Sequence, residues 1–158
     1  MSGGAALGIA IRPAREADLP SIVVLLADDP LGRGREDNSE PLPEAYREAF
    51  RGIAGQRGNF LYVAEADARV IGCLQLTIIP GLTRRGMKRG QIEGVRVGAE
   101  WRGRGIGEML VRHAVAVARA EGCGLVQLTT DNTRPRAHRF YQSLGFVASH
   151  LGMKLSLE

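Results

Sequence analysis

The run Arg102-Gly103-Arg104-Gly105-Ile106-Gly107 joins a strand-like segment to the most amphipathic helical stretch of the chain. Three glycines where a strand hands over to a helix specify a tight turn whose backbone a ligand can approach closely. The first amide N–H groups of the helix that follows have no partner inside it, and they add partial positive charge at that end. Arg102 and Arg104 bring full charges to the same place. The arrangement reads as a strand–turn–helix unit with an anion site at the turn, the plain alternative being a tight turn with two exposed arginines. No Gly-Lys-Ser/Thr follows, so it is not the phosphate loop of a nucleoside triphosphatase. Glu108 stands where a dinucleotide-binding turn needs glycine. Arg-Gly segments that bind RNA occur in disordered repeats, whereas this one caps an amphipathic helix.

The rest of the chain reads as mixed α and β. Ile9–Arg12 forms a short strand, and a helix runs from Glu16 through Leu19, Ile22, Val23 and Leu26 at helical spacing. Residues 28–43 make a polar, turn-rich loop of 16 residues, a length more often functional than passive. A second helix lies near 44–55. Strands follow at 59–65, 70–79 and 91–97, with a basic hairpin connection between the last two at 80–88. The helix at 105–121 carries the stripe Ile106, Leu110, Ala114, Val117 and Ala118 and stops at Gly122. A buried strand at 125–129, a helix from 135 or 136 to 144 and two closing strands at 146–148 and 153–157 complete the order. The fold class is α/β (α+β), a mixed, mostly antiparallel sheet of six to seven strands flanked by about four helices.

The 158 residues suit one domain, residues 1–158, with 1–8 as a flexible tail. No apolar run is long enough to span a bilayer and no signal peptide opens the chain, so a cytoplasmic protein without membrane association is expected. Cys73 and Cys123 read as reduced core residues, and the three histidines complete no zinc spacing, so no metal is expected. The net charge of +4 is unevenly spread. Residues 16–48 hold nine acids against three bases, and residues 84–119 hold nine bases against three acids. The segments read either as solvated faces or as an anion-binding middle with an acidic edge. Only Trp101 interleaves the basic run, which argues against a nucleic-acid partner.

Val95-Arg96-Val97, Trp101 and Arg102-x-x-Gly105-x-Gly107 together resemble the acetyl-CoA signature of the GNAT superfamily of N-acetyltransferases. Asn132 and the block Ala137-x-x-Phe140-Tyr141-x-x-Leu144-Gly145-Phe146 resemble that family's second motif in order and spacing. Residues 129–141 are most similar to aminoalkylphosphonate acetylases, and Gly90-Gln91-Ile92-Glu93 to glucosamine-6-phosphate acetyltransferases.

The resemblance implies acetyl-CoA as co-substrate, held along a splayed strand at Val95, Arg96 and Val97. The N–H groups of Arg102, Gly103, Arg104, Gly105, Ile106 and Gly107 would hold its pyrophosphate, and Asn132 would contact the pantetheine. Tyr141 matches the family's general acid, which protonates the departing thiolate. A protonated amine must lose a proton before attack, and Glu93 is the candidate base; strand alternation sets it on one face with Val95 and Val97, apart from a bulge at Gly94. His138 and His150 are lesser candidates. The amine site is expected from the 28–43 loop, the second helix and the hairpin, where Arg84, Arg85, Lys88 and Arg89 would receive an anionic group. The expected function is direct, ternary-complex transfer to a small primary amine by a homodimer. A non-catalytic acyl-CoA-binding regulatory domain and acetylation of a protein lysine or N-terminus are the alternatives.

Overall fold

The computed structural model describes residues 8–157; the expected tail at 1–8 lies outside them except for Gly8. The elements run β1 (Ala10–Pro13), α1 (Leu19–Ala27), α2 (Glu44–Gly55), β2 (Asn59–Ala66), β3 (Arg69–Ile79), a single turn α3 (Thr83–Gly86), β4 (Lys88–Val97), α4 (Ile106–Ala120), β5 (Cys123–Leu128) and α5 (Pro135–Ser143). The strands lie in sequence order in one sheet. β1 to β4 pair antiparallel, β1 and β2 across the long excursion through α1 and α2, whereas β4 and β5 are parallel because the chain returns through α4.

The sheet is covered on both faces. Leu74, Leu76 and Ile92 pack with Ile106, Leu110, Val111, Ala114 and Ala118 of α4 on one side. Ile22 and Leu25 of α1 cover Val63 and Cys73 on the other. The α4 stripe is nearly the one its spacing predicts, with Val111 added and Val117 only half-buried. No helix among the described residues is long and apolar enough to cross a membrane, and no group of three acidic, histidine or cysteine side chains among them is placed to hold a metal.

The closing strands expected at 146–148 and 153–157 do not form, so among the described residues the sheet has five strands rather than six to seven, with five helices rather than about four. Alternation of Met153, Leu155 and Leu157 reads as a strand, but a strand also needs a paired edge. Here Val147, Leu151, Met153, Leu155 and Leu157 are 80–93% exposed, and only Phe146 packs on the core.

The entry to α1 is tied to the sheet by charge. Arg12 grips Asp18 with two bonds of 2.7 and 2.9 Å and reaches Glu65 at 2.6 Å. Asp18 also accepts the Arg15 N–H at 2.7 Å, and its bonds to Arg12 hold the carboxyl below its ordinary value. A lowered carboxyl stabilises the fold above the unfolded-chain value of about 3.9 and loses that contribution as pH falls through its own, lower value. Asp18→Asn is therefore expected to cost about 2 kcal/mol at neutral pH, since it removes the charge-assisted bonds to Asp18 and leaves Arg12 on Glu65 alone. In urea melts the penalty should shrink towards pH 3; a constant penalty would exclude the ionic account.

Candidate active site

The site begins where two strands part. β4 and β5 are in parallel register from Lys88 opposite Cys123 to Ile92 opposite Leu128. β5 then ends while β4 runs on to Val97, leaving 93–97 with a free edge on that side. On its other side β4 bulges. Gln75 faces Glu93 but Cys73 faces Arg96, so Leu74 lies opposite both Gly94 and Val95. Gly94 takes φ +61°, which glycine adopts without a Cβ clash.

The bulge overturns the face assigned by plain alternation. Paired residues share a face, so Glu93 and Arg96 lie with Gln75 and Cys73 on the α1 side. Val95 and Val97 pack with the α4 cluster instead. Glu93 is exposed and has no side-chain partner among the described residues.

The glycine turn closes one end of this free edge. Gly105 is the N-cap of α4 at φ +79°, Gly103 has φ +74°, and the buried Ile106 anchors the helix beneath them. No backbone bond of the turn uses the N–H groups of residues 103–105, and those opening α4 have no partner within the helix. Arg104 lies over the Trp101 ring at 5.1 Å. Arg102 is a strut. Its Nε donates to the Val97 carbonyl at 3.1 Å, its Nη2 to Asp28 at 3.4 Å, and its N–H to the Ala99 carbonyl at 3.4 Å. The open amides are thus those of 103–107.

α5 forms the opposite wall. A Cβ on Gly107 would come within 3.3 Å of the Phe140 ring, so α5 sits directly on the start of α4. Phe140 joins the core, and Tyr141 packs edge-on against Phe140 and Phe146 at 5.0 and 5.8 Å. Burial pushes the Tyr141 phenol up, and the charges of Arg134 and Arg96 pull it the other way. The phenol therefore keeps its proton at neutral pH and is a donor. Asn132 is exposed within a turn in which Asp131 accepts the Thr133 N–H at 2.9 Å and its hydroxyl at 2.6 Å. His138 Nε2 lies 2.8 Å from the Asp131 carbonyl and His150 Nδ1 2.7 Å from the Ser149 hydroxyl, so both rings are engaged locally.

One expectation about the acceptor side changes. The basic hairpin joins β4 at Lys88, whereas the free edge starts at Glu93, five residues or about 17 Å further along the strand. Arg84 and Arg85 are exposed there and do not wall this cleft. Sequence reasoning also passed over Asp29 and Arg134. Asp29 is buried just beyond α1, with Oδ2 lying 3.1 Å from Arg96 Nη2 and 3.2 Å from Arg134 Nη1. A signal was present, because consecutive acids at a helix C-terminus oppose its dipole and call for a cationic partner.

A strand edge left free beyond Ile92, open amides at one end of it and a half-buried phenol on α5 suit a group-transfer enzyme of the acyl-CoA-using kind. The chain belongs to the acetyltransferase (GNAT) family, whose profile matches residues 22–146. It is 33% identical over 97 residues to glucosamine 6-phosphate N-acetyltransferase of Trypanosoma brucei brucei, covering 61% of this chain and 64% of that protein. It is 35% identical over 121 residues to glucosamine 6-phosphate N-acetyltransferase 1 of Oryza sativa subsp. japonica, covering 74% and 72%. Among solved structures, a transcriptional regulator from Bacillus halodurans C-125 superposes with a TM-score of 0.93 at 48% identity, over 95% of this chain and all of that one.

Proposed function

We propose that this protein transfers the acetyl group of acetyl-CoA directly to the primary amine of a small molecule within a ternary complex. The observation that carries this reading is the free edge of 93–97, with the amide cradle at one end and the Tyr141 phenol across from it. An extended pantetheine arm would add to that edge as a short strand does, with Asn132 as a further contact, while the amides of 103–107 take the pyrophosphate. Acetyl-CoA supplies an activated acyl group on a good leaving thiolate. A backbone N–H near Val95 would polarise the thioester carbonyl. Glu93, on the α1 side, would take a proton from the incoming ammonium through water, and Tyr141 would give its proton to the departing sulfur. Direct transfer is supported by the cysteines. Burial pushes the Cys73 thiol up to about 12, and Cys123 sits at the far end of β5, so neither is an acyl carrier in the cleft.

The acceptor class is suggested by the relatives, two of which act on glucosamine 6-phosphate by name. We assign this chain a primary amine of comparable size carrying an anionic group. Its two free thiols suit a reducing, cytoplasmic setting. A homodimer accounts for the exposed apolar tail at 147–157, which a second copy would cover. Light scattering returning a monomer mass at micromolar concentration would exclude that assembly.

Thiol release from acetyl-CoA over a panel of amino-sugar phosphates, aminoalkylphosphonates, polyamines and lysine or N-terminal peptides tests the activity. Turnover confined to small amines is expected. The likeness to a transcriptional regulator from Bacillus halodurans favours a second reading, a regulatory domain that binds acyl-CoA without turnover. Acetyl-CoA binding with no thiol release on any amine would decide for it.

A further inference from the structure

Arg96 and Arg134 come from opposite walls of the cleft, one from the free edge of β4 and the other from the residue that caps α5. One carboxylate joins them. Asp29 Oδ2 sits between the two guanidiniums at 3.1 and 3.2 Å, in contact with charge but without the alignment of a hydrogen bond to either. Asp29 itself is 6% exposed, and its Oδ1 accepts the Leu31 N–H at 3.2 Å, which fixes the carboxylate to the turn after α1. Arg96 is further held through Nη1 on the Val95 carbonyl at 2.9 Å, while its Nε is buried without a partner. A buried anion that only packed the loop would need one cation. This one gathers two, leaving a net positive pair at the mouth of the cleft.

We propose that Asp29 is a positioning residue for acetyl transfer, a tie across the two walls that fixes β4 against α5 and holds Arg96 and Arg134 beside Tyr141. This rests on the reading of Tyr141 as the acid. When Tyr141 passes its proton to the departing sulfur, the phenol is left as a phenolate. The two guanidiniums oppose the burial that disfavours that anion. The charges that act on the phenol are those of Arg96 from β4 and Arg134 at the start of α5, and Asp29 from the turn after α1 contacts both. The second nitrogen proton, shed as the amide forms, and the proton taken by Glu93 pass to solvent, and solvent returns one proton to Tyr141 once the thiol leaves, so the chain is unchanged over the cycle.

The test is a coupling measurement on the full chain. Ionisation of Tyr141 is followed by the ultraviolet absorbance of tyrosinate, taken as the difference from Tyr141→Phe, in wild type, Arg134→Gln, Asp29→Asn and the double variant. Arg134→Gln removes a cation, so it is expected to move the Tyr141 titration to higher pH in the wild-type background. It should move it little once Asp29→Asn has released the guanidinium. Equal shifts in both backgrounds, or none in either, would overturn the proposal. Asp29→Asn is also expected to lower kcat by about 10²-fold while leaving the KM for acetyl-CoA near wild type, and Asp29→Glu to recover most of that loss. A loss carried by KM alone would mark a merely structural residue. If Asp29→Asn does not fold, Arg96→Gln and Arg134→Gln decide. Each should raise the Tyr141 titration and the pair should raise it further; a pair equal to one alone sinks the tie. Should Tyr141→Phe turn over like wild type, the acid assignment fails, and the absorbance coupling still reports on the tie.

Discussion

Tyr141→Phe is expected to lower kcat by about 10²–10⁴-fold, the span typical of removing a positioned general acid, with acetyl-CoA binding unchanged. The substitution deletes one hydroxyl and keeps the ring that packs against Phe140 and Phe146, so the fold should melt as before. A separable result is therefore available: heat stabilisation by acetyl-CoA equal to wild type, and thiol release nearly abolished. The pH dependence has a definite sign. The acid works protonated, and burial holds the phenol's proton more tightly than in water. Ionisation of the phenol thus leaves the neutral-pH range of the wild type untouched and would limit it only on the alkaline side. Thiol release by Tyr141→Phe at the wild-type rate would remove the residue from the chemistry.

Gly105→Val is expected to abolish acetyl-CoA binding without unfolding the protein. At φ +79° a side chain of any kind is strained, by about 1–2 kcal/mol, and a β-branched one more. No neighbouring atom lies near the added Cβ, so the cost is conformational, and relieving it tilts the amides away from their common focus. At a concentration of 100 times its dissociation constant, acetyl-CoA stabilises the wild type by about 2.7 kcal/mol. Thermal melts should show that increment missing from the variant. Gly107→Val acts differently, because its side chain meets the Phe140 ring and would displace the helix that carries Tyr141. It should reduce turnover as well as binding. Retention of the full acetyl-CoA increment by Gly105→Val would refute the cradle.

Expectation and structure agree best where interactions are local. The helix at 44–55 and the cap at Gly105 appear where residue spacing and turn chemistry place them. The amides of residues 103–107 lie open as the glycine run implies, whereas Arg102, equally basic in sequence, turns back onto Val97 and Asp28. Nothing in its neighbours announces that choice, because both acceptors are distant or backbone groups. The tail shows the limit from the other side. Met153, Leu155 and Leu157 alternate as a strand should, yet pairing is a property of two segments, and no strand among the described residues pairs with them.

Helical periodicity, turn glycines and the strand-to-helix handover are short-range properties, written within a few residues, and they suffice for the longer helices, the strands up to 128, the open amides of the turn and the helix that carries Tyr141. The face of Glu93, the tie at Asp29 and the distance of the basic hairpin from the cleft depend on register and on residues far apart in the chain. One extra residue at Gly94 reverses which side chains look towards α1, and alternation counted along the strand has no means of registering that insertion. Asp29, Arg96 and Arg134 meet through the packing of a loop, a strand and a helix, so their shared contact exists only once the sheet has closed.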